Sequence, residues 1–454
     1  MSAKQVHFVA LGCPKNRVDT ERMVALARRQ GLVPTPDAGD ADVVVVNTCG
    51  FIEAAKQESI DTILEMAELK QHGRLESLIV AGCLSQRYPE QLARELPEVD
   101  HFLGTADLGR LEKLLSRDSE RKERVVVGRP EGLEEADYER QLIGPPHTAY
   151  MKISEGCNRP CAFCIIPLMR GKQRSRTIGS LFAEARELAE SGVRELILVA
   201  QDSTAYGNDL GRETDLASLL QALDEVDGIE WIRVHYAYPS MVRERLAEAM
   251  AASRKVVPYL DMPIQHVDDE LLRRMRRGYG ESHVWQAIES LRRAMPDVTI
   301  RSTMLLGHPG ETDAAHQRLL AFLERAELDN VGAFAFSSEE GTAAHEQPDP
   351  VDPELAQARV AEVMELQRQI SARKLRRLVG AKLEVMIDGE SEESELLLDG
   401  RFAGQSPEID GVVVLTDGSG QPGQIVEATV TDSSDYDLVA TLDPSVAASL
   451  TLQA

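Results

Sequence analysis

Six cysteines carry the chemical information in this chain, and they divide into two sets of three. Cys157, Cys161 and Cys164 stand in I-S-E-G-C-N-R-P-C-A-F-C-I-I, a C-x3-C-x2-C spacing on a loop that follows a short apolar strand, Tyr150 to Ile153. Thiolates this close together can converge on one inorganic centre. A structural zinc site needs a closed tetrahedral set of four ligands, and no fourth Cys or His lies nearby. A cubane [4Fe–4S] cluster is normally held by four Cys, so three leave one iron open to a substrate or cofactor. The competing readings are a partial zinc knuckle and a chance group of buried thiols.

The second set is dispersed. Cys13, Cys49 and Cys83 occur in L-G-C, N-T-C-G and A-G-C-L, each just past the end of an expected parallel strand. Singly, each reads as a small buried hydrophobe. In an open α/β sheet, however, the carboxyl ends of the strands share one edge, where ligands bind. Three loops of the same kind therefore predict a second three-thiol site.

The elements that must position these residues form three units. Residues 4–119 alternate strands (Val6 to Leu11, Asp42 to Asn47, Leu78 to Ala81, and one near Phe102 and Leu103) with helical stretches at Arg17–Gln30, Glu53–Lys70 and Glu90–Leu96. The run D-V-V-V-V-N is continuous and β-branched, as in a parallel strand buried on both faces. This is a small doubly wound α/β domain. Residues 116–142 are charged and turn-rich and read as a linker, with one candidate strand at Val125–Val127. Residues 143–376 contain six candidate strands: Tyr150–Ile153, Glu195–Ala200, Trp231–Tyr236, Tyr259–Met262, Thr299–Leu306 and Val331–Phe336. Helical stretches separate them, predicting a partial (β/α)6 barrel with its site at the strand carboxyl ends.

Polar residues gather at those ends: Gln201 and Asp202, His235 and Tyr236, Gln265 and His266, Arg301, and G-H-P-G-E at Gly307–Glu311. Of these, Gln201, Gln265, His266 and Arg301 are the candidate cofactor-binding residues. Arg273-Arg274-Met275-Arg276-Arg277 reads as a solvated helix face, with RNA contact as the alternative. A long helix spans Asp352 to Leu378, and residues 379–446 change to short β-runs (Lys382–Ile387, Gly411–Leu415, Gln424–Val430, Asp437–Leu442), a small all-β module.

Charge narrows the partners. The 454-residue chain has 75 acidic and 50 basic residues, a formal net charge of −25. Residues 381–440 hold 14 Asp plus Glu against two basic residues, Lys382 and Arg401, so 2 − 14 = −12 of that charge sits in the terminal module. Nucleic-acid affinity depends on cations that neutralise phosphates, so strong nucleic-acid binding is not expected; a basic protein is the better partner. The N-terminal M-S-A-K-Q-V-H-F-V-A-L-G is too short an apolar run for a signal peptide, and no window approaches a membrane span. A cytoplasmic protein with no membrane partner is expected, in which cysteines serve metal or catalysis rather than disulfides.

The cluster loop, with Phe163 before its last Cys, resembles that of the radical S-adenosylmethionine (SAM) enzymes. V-A-L-G-C-P-K-N, V-V-N-T-C-G-F-I and A-G-C-L resemble the N-terminal domain of methylthiotransferases, and residues 380–445 their terminal TRAM barrel. C-P-K-N, C-I-I-P-L-M-R-G (Cys164–Gly171), Q-D-S-T-A-Y-G (Gln201–Gly207) and S-P-E-I-D-G (Ser406–Gly411) are similar to the RimO branch, which modifies a small-subunit ribosomal protein, more than to the MiaB branch, which modifies tRNA adenosine. Two departures, Arg159-Pro160 in the loop and His308 in G-H-P-G-E, are expected to touch no ligand cysteine. The resemblance implies two [4Fe–4S] clusters, one on each cysteine set, with SAM at the open iron of the Cys157 set. It also implies a one-electron donor such as flavodoxin or ferredoxin, reductive cleavage of SAM, and insertion of a methylthio group at the β-carbon of an aspartate in protein twelve of the small subunit.

Overall fold

The structure, a computed structural model, describes residues 3–116, 123–131, 139–211 and 213–442. The expected ends of the first and third units, 117–119 and 443–446, lie outside the described residues, as does most of the charged stretch 117–138.

The first unit is a parallel sheet of six strands: β1 (Gln5–Ala10), β2 (Val33–Pro34), β3 (Val43–Thr48), β4 (Ser77–Gly82), β5 (His101–Leu103) and β6 (Val125–Val126), in the order β2-β1-β3-β4-β5-β6. β3 is buried at every position because helices cover both faces. Pro14–Arg29 packs on one face, with Met23 and Ala27 against Val43 and Val45. Glu53–His72 packs on the other, with Ile63 and Met66 against Val44 and Val46. The chain leaves β1 and β3 toward opposite faces, which opens a crevice at their carboxyl ends. Cys13 and Cys49 follow those two strands, and Cys83 follows β4.

The second unit is an open sheet of six parallel strands: β7 (Thr148–Lys152), β10 (Glu195–Val199), β11 (Trp231–Val234), β12 (Val256–Asp261), β13 (Thr299–Leu306) and β14 (Asn330–Ala335), adjacent in chain order. Helices cover the outer face, burying Leu196, Leu198, Ile232, Val234, Leu260 and Ile300 in the largest apolar core. β12 begins earlier than the sequence reading because Val256-Val257 resume pairing ahead of Pro258, with a register irregularity against β11. A two-stranded hairpin not expected from sequence, β8 (Ser154–Glu155) with β9 (Arg174–Ser175), clasps the base of the cluster loop.

The third unit is a closed five-stranded barrel of β15 (Lys382–Ser391), β16 (Ser394–Phe402), β17 (Val413–Leu415), β18 (Ile425–Ser433) and β19 (Leu438–Leu442), in the order β15-β16-β17-β19-β18. β16 is absent from the sequence reading; Glu390, Glu392, Glu393 and Glu395 lie along and at the tip of the β15–β16 hairpin, all exposed. No helix among the described residues is long and apolar enough to cross a membrane.

The inner face of the open barrel is filled from both sides. Val18, from the first unit, packs on Tyr150, Ile197 and Val199. Met386, from the third, packs on Trp231, Val257 and Tyr259. Between the barrel and the third unit lies a buried charged floor. Glu195 receives Arg233 Nε at 2.9 Å and Arg401 Nη1 at 2.8 Å, and Arg401 also donates to both Asp388 oxygens, at 2.7 and 2.9 Å. The loop after β16 completes it, Tyr259 OH donating to Asp410 Oδ2 at 2.7 Å while Arg233 Nη1 donates to Ala403 O at 2.8 Å. The terminal module is thus a structural part of the barrel.

Candidate active site

Each cysteine of the dispersed set, Cys13, Cys49 and Cys83, is placed by a strand-to-helix turn. Cys13 caps the helix Pro14–Arg29, whose first residue, Pro14, has no N–H to leave unsatisfied. Gly12, at φ +85°, approaches Cys49 so closely that a Cβ would lie 2.7 Å from Cys49 Cβ. Gly82, at φ +97°, precedes Cys83, and a Cβ there would lie 2.7 Å from Thr48 O. Glycine is needed at both positions for the three loops to meet. Asn16 locks them together, its Nδ2 donating to Leu11 O at 3.0 Å and Thr48 O at 2.9 Å.

All six cysteines line one cavity of about 360 Å3 between the first unit and the barrel mouth. Within each set the thiols feel one another. Burial pushes Cys49 up to about 12, with Cys83 and Cys13 adding to the rise. Burial likewise pushes Cys164 up to about 12, with Cys161 and Cys157 adding. Burial also raises Cys157, to about 11, against the Arg159 backbone N–H, which, contrary to the expectation for that departure, donates to Cys157 Sγ at 3.4 Å. Cys13 is the exception: burial would raise it, but Lys15, Arg170 and two backbone N–H groups bring it below the ordinary thiol value, as expected at a helix N-terminus.

Cations hold the surroundings. Arg170, from the segment after the cluster loop, is 1% exposed and donates to Asn16 Oδ1 at 2.5 Å, Asp19 Oδ2 at 3.1 Å and Glu155 at 3.0 Å, tying the two thiol sets together. Burial would raise Glu155, but Arg170 and Lys152 hold it well below the usual carboxylate range. Arg277 donates to Cys161 Sγ at 3.3 Å, Tyr279 OH at 2.9 Å and Pro263 O at 2.8 Å. The sequence places it on a solvated helix face; Arg273 is exposed and paired with Glu270, but the helix ends at Arg274, and Arg277, past left-handed Arg276 (φ +55°), is 7% exposed and turned inward.

Of the four candidate cofactor residues, Gln201 and Gln265 line the cavity. Gln201 Nε2 donates to Glu155 Oε1 at 3.1 Å, and its buried Oε1 has no partner among the described residues. Gln265 adopts φ +73°, and Tyr236, also on the cavity wall, φ +62°; such backbone strain clusters at functional sites. His266 and Arg301 stand apart from the cavity. His266 is fully buried behind it, its Nδ1 accepting from Asp268 N at 3.0 Å and its Nε2 3.9 Å from Glu311 Oε1; burial, with His316 and Arg359, lowers it to about 3. Arg301 turns to the floor, pairing with Asp261 at 3.2 Å and Asp410 at 3.4 Å. His235 likewise meets Ser406 Oγ at 3.0 Å, away from the cavity, and His308 packs edge-on against Phe163 and Phe336.

The donors suit iron–sulfur chemistry. They are soft thiols in sets of three.

Family models match all three units: uncharacterized protein family UPF0004 over residues 5–104, the radical SAM superfamily over 151–323 and the TRAM domain over 379–442. The chain is 48% identical over 449 residues to the ribosomal protein uS12 methylthiotransferase RimO of Sorangium cellulosum, spanning 97% of this chain and 91% of that protein. The chain belongs to the RimO family of radical SAM methylthiotransferases. The RimO of Geobacter sulfurreducens is 45% identical, covering 96% of this chain and 98% of its own. Among solved structures, the radical SAM methyltransferase TsrM of Kitasatospora setae superposes with a TM-score of 0.55 at 14% identity, covering 73% of each chain. The cobalamin-dependent radical enzyme OxsB gives 0.51 at 13% identity, over 81% of this chain and 56% of its own. At those identities the likeness concerns the fold alone. As a member of the RimO family, this chain is a radical SAM methylthiotransferase.

Proposed function

We propose that this protein inserts a methylthio group at the β-carbon of an aspartate in ribosomal protein uS12, using SAM and two [4Fe–4S] clusters. The observation that carries the reading is the convergence of all six thiols on one cavity at the barrel mouth. Cys157, Cys161 and Cys164 would hold one cluster, and Cys13, Cys49 and Cys83 the other. When bound, these cofactors supply the hydrogen-atom and one-electron chemistry that a C–H beside a carboxylate, too weakly acidic for a side-chain base, requires. The chain's own residues bind and orient. Gln201 offers an unpaired carbonyl oxygen to the cofactor's ammonium, and strained Gln265 borders the same space. Arg277 offsets thiolate charge at Cys161. His266 and Arg301 would act from behind the wall as positioning residues. A one-electron donor of the flavodoxin or ferredoxin kind is implied, and work in the cytoplasm, where ribosomal proteins are found.

Mass spectrometry of ribosomal proteins and tRNA, from cells with and without the protein, tests this. A gain of one methylthio group on uS12 is expected; the same mark on a tRNA adenosine instead would overturn it.

The terminal module supports a basic protein partner. Of its two basic residues, Lys382 is paired with Glu427 at 2.7 Å and Arg401 is 2% exposed in the floor, so neither offsets the acidic surface. Neutralising Glu390, Glu392, Glu393 and Glu395 to Gln should slow association with uS12, by up to about tenfold at low salt. The effect should fade as the Debye length falls from about 10 Å at 0.1 M to about 3 Å at 1 M. Stopped-flow association rates decide it: a faster on-rate at low salt would mean that the module meets RNA.

A further inference from the structure

Four cations line the cavity: Lys15, Arg159, Arg170 and Arg277. Three are engaged within the protein. Arg159 Nε donates to Asp202 Oδ2 at 2.6 Å, Arg170 is held by Asp19 and Glu155, and Arg277 by Tyr279, Pro263 and Cys161. Lys15 differs. Its side chain is 6% exposed, its ammonium lies 3.5 Å from the centroid of the Tyr236 ring, and no carboxylate of the described residues stands within ion-pair distance. A ring face attracts a cation without neutralising it.

The local electrostatics make this placement costly. Lys15 is the second residue of the helix Pro14–Arg29, where the helix dipole presents positive charge, and no acidic residue occupies that first turn. Burial and the dipole disfavour an ammonium there, while the Tyr236 side chain and the Cys13 thiol favour it, with no carboxylate of the described residues beside it. Tyr236, held at φ +62° with its N–H donating to Asp261 Oδ2 at 3.1 Å, is bent to put its ring beneath the ammonium. An anion that enters the cavity would give the ammonium the carboxylate partner that the wall does not supply.

We propose that Lys15 receives the carboxylate of the substrate side chain and so selects an acidic residue over an amide or a nucleobase. The inference rests on the uS12 reading above. A carboxylate that enters a cavity walled by buried side chains needs a cation not already engaged, and Lys15 is the one this wall offers. A neutral group in the same place leaves the ammonium unanswered, so discrimination comes from the penalty as much as from the bond. The alternative role, offsetting charge at neighbouring Cys13 alone, would affect acidic and neutral substrates equally.

The test uses the full-length, anaerobically reconstituted protein and two fluorescent peptides of the uS12 target loop, identical except for Asp or Asn at the target. Wild type should bind the Asp peptide at least about tenfold more tightly, the scale of one charge-assisted hydrogen bond. Lys15→Gln should bring the two peptides within about twofold by weakening the Asp peptide alone, and Lys15→Arg should keep part of the preference. Iron content is measured first, and Lys15→Met replaces Lys15→Gln if that variant does not retain its iron. A variant lacking the ammonium that keeps the tenfold preference, one that weakens both peptides equally, or a wild type indifferent between them overturns the proposal. Mass analysis of the Asp peptide after turnover by wild type separates the two readings. A methylthiolated peptide together with an unchanged preference in Lys15→Gln removes the role of Lys15 alone; a mark on tRNA and none on the peptide removes both.

Discussion

Replacing Cys13, Cys49 and Cys83 together by Ala is expected to abolish methylthio transfer while SAM is still cleaved in the absence of substrate. The two thiol sets share a cavity and the Arg170 tie, but their backbone supports differ. Cys13, Cys49 and Cys83 hang on the strand-to-helix turns after β1, β3 and β4, whereas Cys157, Cys161 and Cys164 are held by the β8–β9 hairpin and by Ala162 N donating to Met275 O at 2.9 Å. Removing the three thiols alone leaves Arg170 and the hairpin in place, so the Cys157 set should stay intact. Iron should fall from about eight to about four per chain, as for the loss of one of two cubanes. Transfer should fall by more than about a hundredfold, the upper figure for losing merely an outer-shell partner of a metal ligand. Iron analysis with separate assays of deoxyadenosine and methylthiolated product checks this. Wild-type protein that saturates near four iron, or a variant that keeps its second cluster and binds SAM without cleaving it, contradicts the assignment.

Glu195→Ala should cost about 3–5 kcal/mol of stability, the range for removing one partner of a buried ion pair. Glu195 and Arg233 are fully buried and Arg401 is 2% exposed, so the substitution leaves two guanidinium groups with their principal counter-charge gone. Burial would raise the Glu195 carboxyl, but Arg401 and Arg233 bring it below the ordinary carboxylate value. A depressed folded value means that the carboxylate's stabilisation is present above the unfolded pKa of about 4.3. It is lost as pH falls through the lower folded value. Acid should therefore narrow the gap between wild type and variant. Urea unfolding followed by tryptophan fluorescence is apt, since Trp231 packs on Met386 across the same interface. A loss under about 1 kcal/mol would show that the floor is not a unit.

The parts of this molecule that follow a short-range rule were readable from its sequence. The run Val43–Thr48 announces a strand covered on both faces, and the repeated turn before each of Cys13, Cys49 and Cys83 announces a shared edge. What depends on tertiary direction was not. Arg277 is indistinguishable in composition from exposed Arg273; only the end of the helix at Arg274 and the contacts with Tyr279, Pro263 and Cys161 turn it inward. Arg301 follows a strand pattern as a cavity residue would, yet Asp410, remote in sequence, draws it to the floor. β16 escaped because its first half alternates weakly, with Glu395 and Leu396 both exposed, and is fixed by pairing on both sides rather than by its own periodicity. In C-P-K-N, Lys15 has the composition of any surface lysine, and its lack of a carboxylate partner is visible only once the cavity is.

The charged floor also sets an order on the birth of the enzyme. Glu195 and Arg233 leave the ribosome with the barrel, but Asp388, Arg401 and Asp410 are synthesised only after every strand of that barrel has emerged. Until they arrive, Arg233 lacks Ala403 and Arg301 lacks Asp410, so the nascent barrel must keep its lower mouth wet. Domains usually fold as units from the N-terminus during synthesis. Here the floor of the middle unit stays open until the last unit docks.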